Sequence, residues 1–358
     1  MTVFRQQGKP DGAVAPPACA RRRCISDRGE GTTGKTMQAL KRIGIDTYML
    51  LLIGMVLLGL LLPARGMAAE ILRGATFWAV TLLFFLYGAK LDPASVRAGL
   101  LNLRLQGLTF GATYALFPVL GIGLAALFGG VLGPELTLGL LFLAVLPSTV
   151  QSSIAFTSIA GGNVPAAICA ASLSNLVGVV LTPLLVTHLL HQEGGGASLD
   201  AIEKIAVQIL LPFVAGQLLR RWIGGFVQRH RLLTMVVDRG SILLIVYSAF
   251  GAGTVAGIWS AIPVPGLVLC FLVTALLLAL VMGGMVGAGR LFHLPPQDQA
   301  VLFFCGSTKS LASGLPIATA IFPAAAVGAI VLPVMIYHMT QLLVCSAIAQ
   351  RLARKAQA

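Results

Sequence analysis

Apolar runs of roughly 17–25 residues, separated by short polar or Pro/Gly-rich interruptions, recur along almost the whole chain after residue 45. As a helix rising 1.5 Å per residue, each run spans the ~30 Å hydrocarbon layer of a bilayer. The pattern predicts ten helical spans, at 46–63, 71–89, 105–129, 136–160, 164–190, 201–221, 240–260, 264–292, 298–321 and 325–350. The fold class is therefore all-α and polytopic, with lipid as the solvent for most of the chain.

Two spans share a signature. Ser148-Thr149 in AVLPSTVQSS and Ser307-Thr308 in FFCGSTKSLAS lie 159 residues apart. The same offset carries Leu105, at the start of the third span, to Val264 at the start of the eighth, and Thr47 into the sixth. The chain reads as a tail (1–40) followed by two five-helix repeats, at 41–192 and 199–353. Five is odd, so the second repeat enters the membrane with inverted polarity.

Both signature spans are interrupted near mid-membrane. The fourth has an apolar lead, Leu136 to Leu146, then Pro147 and the polar cluster Ser148, Thr149, Gln151, Ser152 and Ser153. The ninth has a shorter lead, then Gly306, Ser307, Thr308, Lys309 and Ser310, with Ser313, Gly314 and Pro316 beyond. Proline removes a backbone donor and glycine favours unwinding, so amides and carbonyls are freed at both places. Lipid satisfies neither; such groups persist buried in protein or lining a watery cavity. With hydroxyl and amide side chains they form a shell for a small cation or a polar substrate group, at the depth where secondary transporters bind.

Lys309 stands out, because an ionisable group deep in a bilayer costs about 3 kcal/mol or more and marks a group facing a cavity unless its stem snorkels to the interface. Serines in membrane helices also serve simply to bond the preceding turn or to let helices approach. Ser172 and Asn175, three apart on the fifth span, share a face toward the fourth-span break; Ser174 lies between them. Asn163, in AGGNVP, reads as the N-cap of that span. His188 and His338 read as isolated, satisfied or interfacial residues.

Composition agrees. Of 358 residues 57% are hydrophobic and 10% charged, with a mean hydropathy of +0.91. A net charge of +13 would suggest nucleic acid in a soluble chain, but here the basic residues fall between the apolar runs and encode orientation instead. After residue 40, only Arg65, Arg73 and Lys204 lie on the side opposite the others, and LLRRWIGGFVQRHRLLTMVVDRG carries five arginines as one connection. The positive-inside rule places both termini in the cytoplasm, and the compact connections point to a bacterial inner (plasma) membrane. Cys169, Cys270, Cys305 and Cys345 sit in apolar runs and read as small hydrophobes, while Cys19 and Cys24 lie in the tail.

Residues 29–36, GEGTTGKT, fit the phosphate-loop pattern by letter, but no hydrophobic strand precedes them and no soluble domain follows, so no nucleotide partner is expected. Arg21-Arg22-Arg23 stands over twenty residues from the first apolar run and is not read as a twin-arginine signal; Met37 opens a plausible shorter chain. No helix-borne acidic pair, HExxH or Ser/His constellation points to an enzyme.

At LPSTVQSSIAFTSIAGGNVPAAICAASLSNLVGVVLTPLL, FCGSTKSLASGLPIA and FLYGAKLDPASVRAGLLNLRLQG the chain resembles the bile acid:sodium symporter family, and more closely its SBF-like branch, which includes member seven of solute carrier family ten. The resemblance covers about residues 38–355. It implies a panel domain (first, second, sixth and seventh spans) and a core domain (the rest), crossing broken helices, sodium beside the crossing and an organic anion between the domains. By position the family's sodium-site pair matches Ser152 and Ser153. Its ninth-span polar run matches Ser307 to Ser310, giving Ser152, Ser153 and Thr308 as the implied sodium ligands. Where the symporters use an acidic residue on that span, this chain has Phe304 or a neighbour. Lys309 therefore either occupies the cation position itself or attracts the anionic group of a substrate. The expected partners are a small organic anion and the bilayer, with no cofactor beyond a sodium ion; the alternative is a non-transporting regulator of ion flux on the same scaffold.

Overall fold

The computed structural model describes residues 47–90, 102–191 and 206–357. The tail, with GEGTTGKT, Cys19 and Cys24, lies outside the described residues, as does the start of the sixth span. The described residues form helices and no strand: α1 Thr47–Leu61, α2 Met67–Lys90, α3 Leu103–Leu132, α4 Pro134–Val145, α5 Gln151–Ile159, α6 Val164–His191, α7 Leu211–Arg229, α8 Arg231–Val255, α9 Val264–Leu291, α10 Pro296–Ser307, α11 Leu311–Ile321 and α12 Ala324–Gln357. Seven stretches are long and apolar enough to cross a membrane, with α10 and α11 together making one of them, while the apolar parts of α1 and α4 are shorter.

The helices fall into two groups, joined by α8 packing on α12 as closely as it packs on α1. In one, α7 lies along α2, and α8 packs on α1 and α2. Glycine makes that possible: a Cβ on Gly88 would meet the Phe213 carbonyl oxygen, and one on Gly216 that of Phe85, so α2 and α7 touch backbone to backbone. The other group pairs α3 with α4, α4 with α12 and α9 with α10. Burial is uneven among the spans. In the most apolar window of Pro296–Ile321 89% of the residues are buried, against 22% in that of Leu103–Leu132, so the serine- and lysine-bearing stretch is the centre of the bundle rather than a lipid-facing helix.

One boundary needs correcting. The arginine-rich stretch expected as a connection between 221 and 240 is helical: α7 runs to Arg229 and α8 begins at Arg231, with only His230 between them. The apolar count marks where lipid ends, and a helix whose polar faces meet water continues past that point. Asp238 and Arg239 thereby become helix residues that face neighbours. Within α3, residues Ala112–Leu116 form a π-helical turn, which leaves a carbonyl there without its usual partner.

A carboxylate ties three helix starts together. Asn102 caps α3 by accepting from Leu105 N at 3.2 Å, and Asn163 caps α6 by accepting from Ala166 N at 3.1 Å. Both amides then donate to buried Asp298 in the first turn of α10, at 3.2 Å to Oδ2 and 2.9 Å to Oδ1. Hydrogen bonds to a charged group contribute about 1.5–3 kcal/mol each, and losing the acceptor orphans both caps. Asp298→Ala is expected to lower stability by about 3 kcal/mol, read as earlier thermal exposure of the buried cysteines to a thiol-reactive dye in detergent, with Asp298→Asn losing less.

Candidate functional site

The helix breaks follow from local chemistry. Pro147 pushes the residue before it out of the helical region, and Leu146 adopts ψ 152° as α4 ends. In the second break Thr308 and Ser310 are extended (ψ 147° and 108°), and the Ser310 hydroxyl caps α11 by accepting from Ser313 N at 3.1 Å. The breaks lie against each other, with Ser310 N donating to Pro147 O at 2.8 Å.

Their freed backbone is captured by side chains from the next long helix of each half. Ser148 N donates to Ser174 Oγ at 3.0 Å, while Asn175 Nδ2 donates to Ser148 O at 2.7 Å. On the other side Lys309 N donates to Gln341 Oε1 and Gln341 Nε2 donates to Lys309 O, both at 2.8 Å. His338 Nδ1 lies 2.9 Å from Gln341 Nε2 and 3.3 Å from Lys309 O, and the imidazole tautomer decides which of the two it bonds. His338 is thus satisfied, but it is not isolated: it lines the cavity beside the second break.

Between the breaks lies a knot of hydroxyls. Thr308 Oγ1 contacts Ser148 Oγ and Thr149 Oγ1 at 3.1 Å each and Ser153 Oγ at 2.7 Å. Ser152 donates to Thr149 at 2.6 Å, Thr149 and Ser153 are 2.8 Å apart, and Ser148 Oγ donates to Cys305 O at 2.7 Å. All of these oxygens are neutral, and no carboxylate touches them among the described residues. Ser307 does not join; its hydroxyl bonds back to Phe303 O at 2.6 Å and its carbonyl accepts from Tyr337 OH at 2.7 Å.

Lys309 is fully buried, and its ammonium is spent on main chain. Nζ donates to Leu146 O at 2.6 Å, Ala144 O at 2.9 Å and Thr113 O at 3.0 Å, and sits 4.0 Å from the centroid of the Phe117 ring. Two of these carbonyls belong to the C-terminal end of α4, where a helix carries orphan acceptors and partial negative charge. The third belongs to the π-turn of α3. An ammonium has three donors, so its hydrogen-bonding capacity is filled.

Beside the knot a cavity of about 630 Å³ opens between the two helix groups. Thr149, Gln151, Ser152, Ser172, Asn175, Ser310 and Ser313 line it, with Ser313 donating to Asn175 Oδ1 at 2.7 Å. Ser148, Ser153, Thr308 and Lys309 stand behind that wall. Across it, Tyr48, Lys90, Asp238 and Arg239 come from α1, α2 and α8. These four, with Gln341 and the Thr113 carbonyl, escaped the sequence reading: the charges looked like orientation signals at span ends, and a freed carbonyl has no side-chain signature. Gln341 had a signal, as the lone amide in MTQLLV.

Removing the clamp on Lys309 is costly. Gln341→Leu leaves the Lys309 amide unpaired at a fully buried break, at about 1–3 kcal/mol, and leaves its carbonyl only the 3.3 Å contact with His338 Nδ1. A thermal-unfolding midpoint in detergent well below wild type is expected, with Gln341→Glu closer to it; wild-type stability for Gln341→Leu would contradict the assignment.

Comparison with known proteins identifies the family. Residues 46–354 match the SBF-like CPA transporter family. The chain is 48% identical over 311 residues to "Uncharacterized protein PA2026" of Pseudomonas aeruginosa, covering 87% of this chain and 93% of that one. It is 43% identical over 313 residues to "Putative symporter YfeH" of Escherichia coli K12 (87% and 94% covered), and 25% identical over 320 residues to sodium/bile acid cotransporter 7 of Rattus norvegicus (87% and 93% covered). A family match over nearly the whole described chain, carried by relatives of similar length, makes this protein a transporter rather than an enzyme: it belongs to the SBF-like CPA transporter family.

Proposed function

We propose that the chain is a secondary transporter of a small organic anion that works by alternating access, and that the tethered Lys309 ammonium takes the role of a bound cation, on main-chain carbonyls beside the hydroxyl knot. In this reading ten spans form two inverted five-helix repeats. The group α1, α2, α7 and α8 is the panel, and the remaining helices are the core that moves against it. The cavity between them binds substrate, closed on one side by the crossing breaks.

The observation that carries the reading is the ammonium, 0% exposed, held by two main-chain carbonyls at the end of α4 and one in the π-turn of α3. Carbonyl oxygens freed at a broken helix are the ligand set that transporters offer a coupling ion. Here a covalently tethered cation uses them. A substrate carboxylate could reach Nζ only by displacing one of those carbonyls, which favours the cation position over direct substrate binding. The hydroxyl knot then acts as a neutral latch between the breaks. A sodium ion among Ser152, Ser153 and Thr308 would lack a balancing carboxylate, and the neighbouring ammonium would repel it.

The test is uptake of labelled organic anions into proteoliposomes containing the full chain. Wild-type accumulation is expected to be unchanged when choline replaces sodium, and to fall at least about tenfold in Lys309→Met, where three buried carbonyls lose their donor. Sodium-driven uptake by the wild type would contradict the tethered-cation reading. Accumulation of none of the anions, with ion flux altered instead, would favour a regulator.

A further inference from the structure

The panel wall of the cavity is built differently from the hydroxyl wall. Lys90 Nζ pairs with Asp238 Oδ2 between α2 and α8, which leaves Asp238 Oδ1 buried without a hydrogen-bond partner. The Tyr48 hydroxyl, also on this wall, is buried and unpartnered as well. The Arg239 guanidinium lies 5.0 Å from the centroid of the Tyr48 ring; among the described residues it has that ring for a contact and no carboxylate. Buried polar groups without partners cost about 1–3 kcal/mol each and call for an explanation; here two of them, with the half-buried Arg239 guanidinium beside them, line one cavity.

Their chemistry specifies the ligand. Lys90, Asp238 and Arg239 together leave one net positive charge, which a single anionic group neutralises. The planar guanidinium fork matches a carboxylate or another oxyanion through two parallel hydrogen bonds, and the Tyr48 hydroxyl supplies a further donor. Asp238 Oδ1 accepts only, so it requires a donor on the ligand, next to the anionic group. Beyond this cluster the wall turns apolar, with Leu52, Phe84, Phe213 and Ile242. All four polar residues sit on panel helices, so the cluster stays intact whichever way the core moves.

Resting on the transporter reading above, we propose that Arg239, Tyr48 and Asp238 form the substrate's headgroup site. The substrate class is then a monoanionic amphiphile carrying a hydroxyl or N–H beside its anionic group. Lys90 is a positioning residue that holds Asp238 in place.

The test measures binding to the purified full chain in nanodiscs, against empty nanodiscs, with three probes: 2-hydroxyoctanoate, octanoate and methyl 2-hydroxyoctanoate. Wild type is expected to prefer the first by about tenfold over each of the others, the scale of one hydrogen bond to a charged group. Arg239→Gln erases discrimination against the ester, and Arg239→Lys, which keeps the charge but not the fork, restores part of it. The joint change Lys90→Met with Asp238→Leu removes the ion pair without orphaning a charge; it erases the preference for the hydroxyl and keeps discrimination against the ester. An unaltered melting midpoint and a single size-exclusion peak identify folded variants. Equal binding of all three probes by wild type, no binding of 2-hydroxyoctanoate, or wild-type behaviour of Arg239→Gln would overturn the proposal. Anion accumulation that survives Arg239→Gln defeats this site and leaves the transporter reading standing. The expected binding pattern without accumulation of any anion defeats transport and leaves the site.

Discussion

A helix that stops inside a membrane leaves its last carbonyls facing a solvent that cannot bond them, and the end of α4 is such a place. Pro147 forces the stop, and three carbonyls, at Val145, Ala144 and Leu146, need donors there. Thr182 Oγ1 reaches the first at 2.8 Å and the Lys309 ammonium takes the other two. The same ammonium takes the carbonyl freed by the π-turn of α3, so one group from the second half of the chain completes two defects in the first. No carboxylate is needed, because orphan carbonyls, the helix dipole and an aromatic face together supply the negative potential.

The rest of the centre follows from that placement. Lys309 reaches α4 only if α10 ends at Ser307, and the broken backbone on either side of it is held by Gln341 and by the Ser310–Pro147 bond. Thr308, the preceding residue, then meets Ser148, Thr149 and Ser153. Hydroxyls suit a contact that must hold without locking: each both donates and accepts, and each bond contributes only about 1 kcal/mol. The cavity beside it has a hydroxyl wall on one side and a charged wall on the other.

What sequence reasoning recovered was set by period and by proline. Long apolar runs gave the helices, and Pro147 with the Gly306–Ser310 cluster marked both interruptions within a few residues. Asn163 was recognisable as a cap because its side chain acts three residues away, within local reach. Asn175 was placed on the face toward the first break, where it bonds Ser148 O, but Gln341 and the π-turn, which act on backbone far along the chain, were not picked out. The α7–α8 junction was misplaced because its arginines were counted as loop, although helix propensity does not end at the membrane surface. That error also hid Asp238 and Arg239.

The central claim is that a tethered ammonium fills a cation site made of main-chain carbonyls. The most direct measurement is the thermal midpoint of wild type and Lys309→Ala in sodium chloride against choline chloride at equal ionic strength. Alanine removes the ammonium but leaves its oxygens, so the variant is expected to start less stable and to gain stability with sodium as RT ln(1 + [Na⁺]/Kd), while wild type does not respond. A wild type stabilised by sodium, or an alanine variant indifferent to it, would contradict the account.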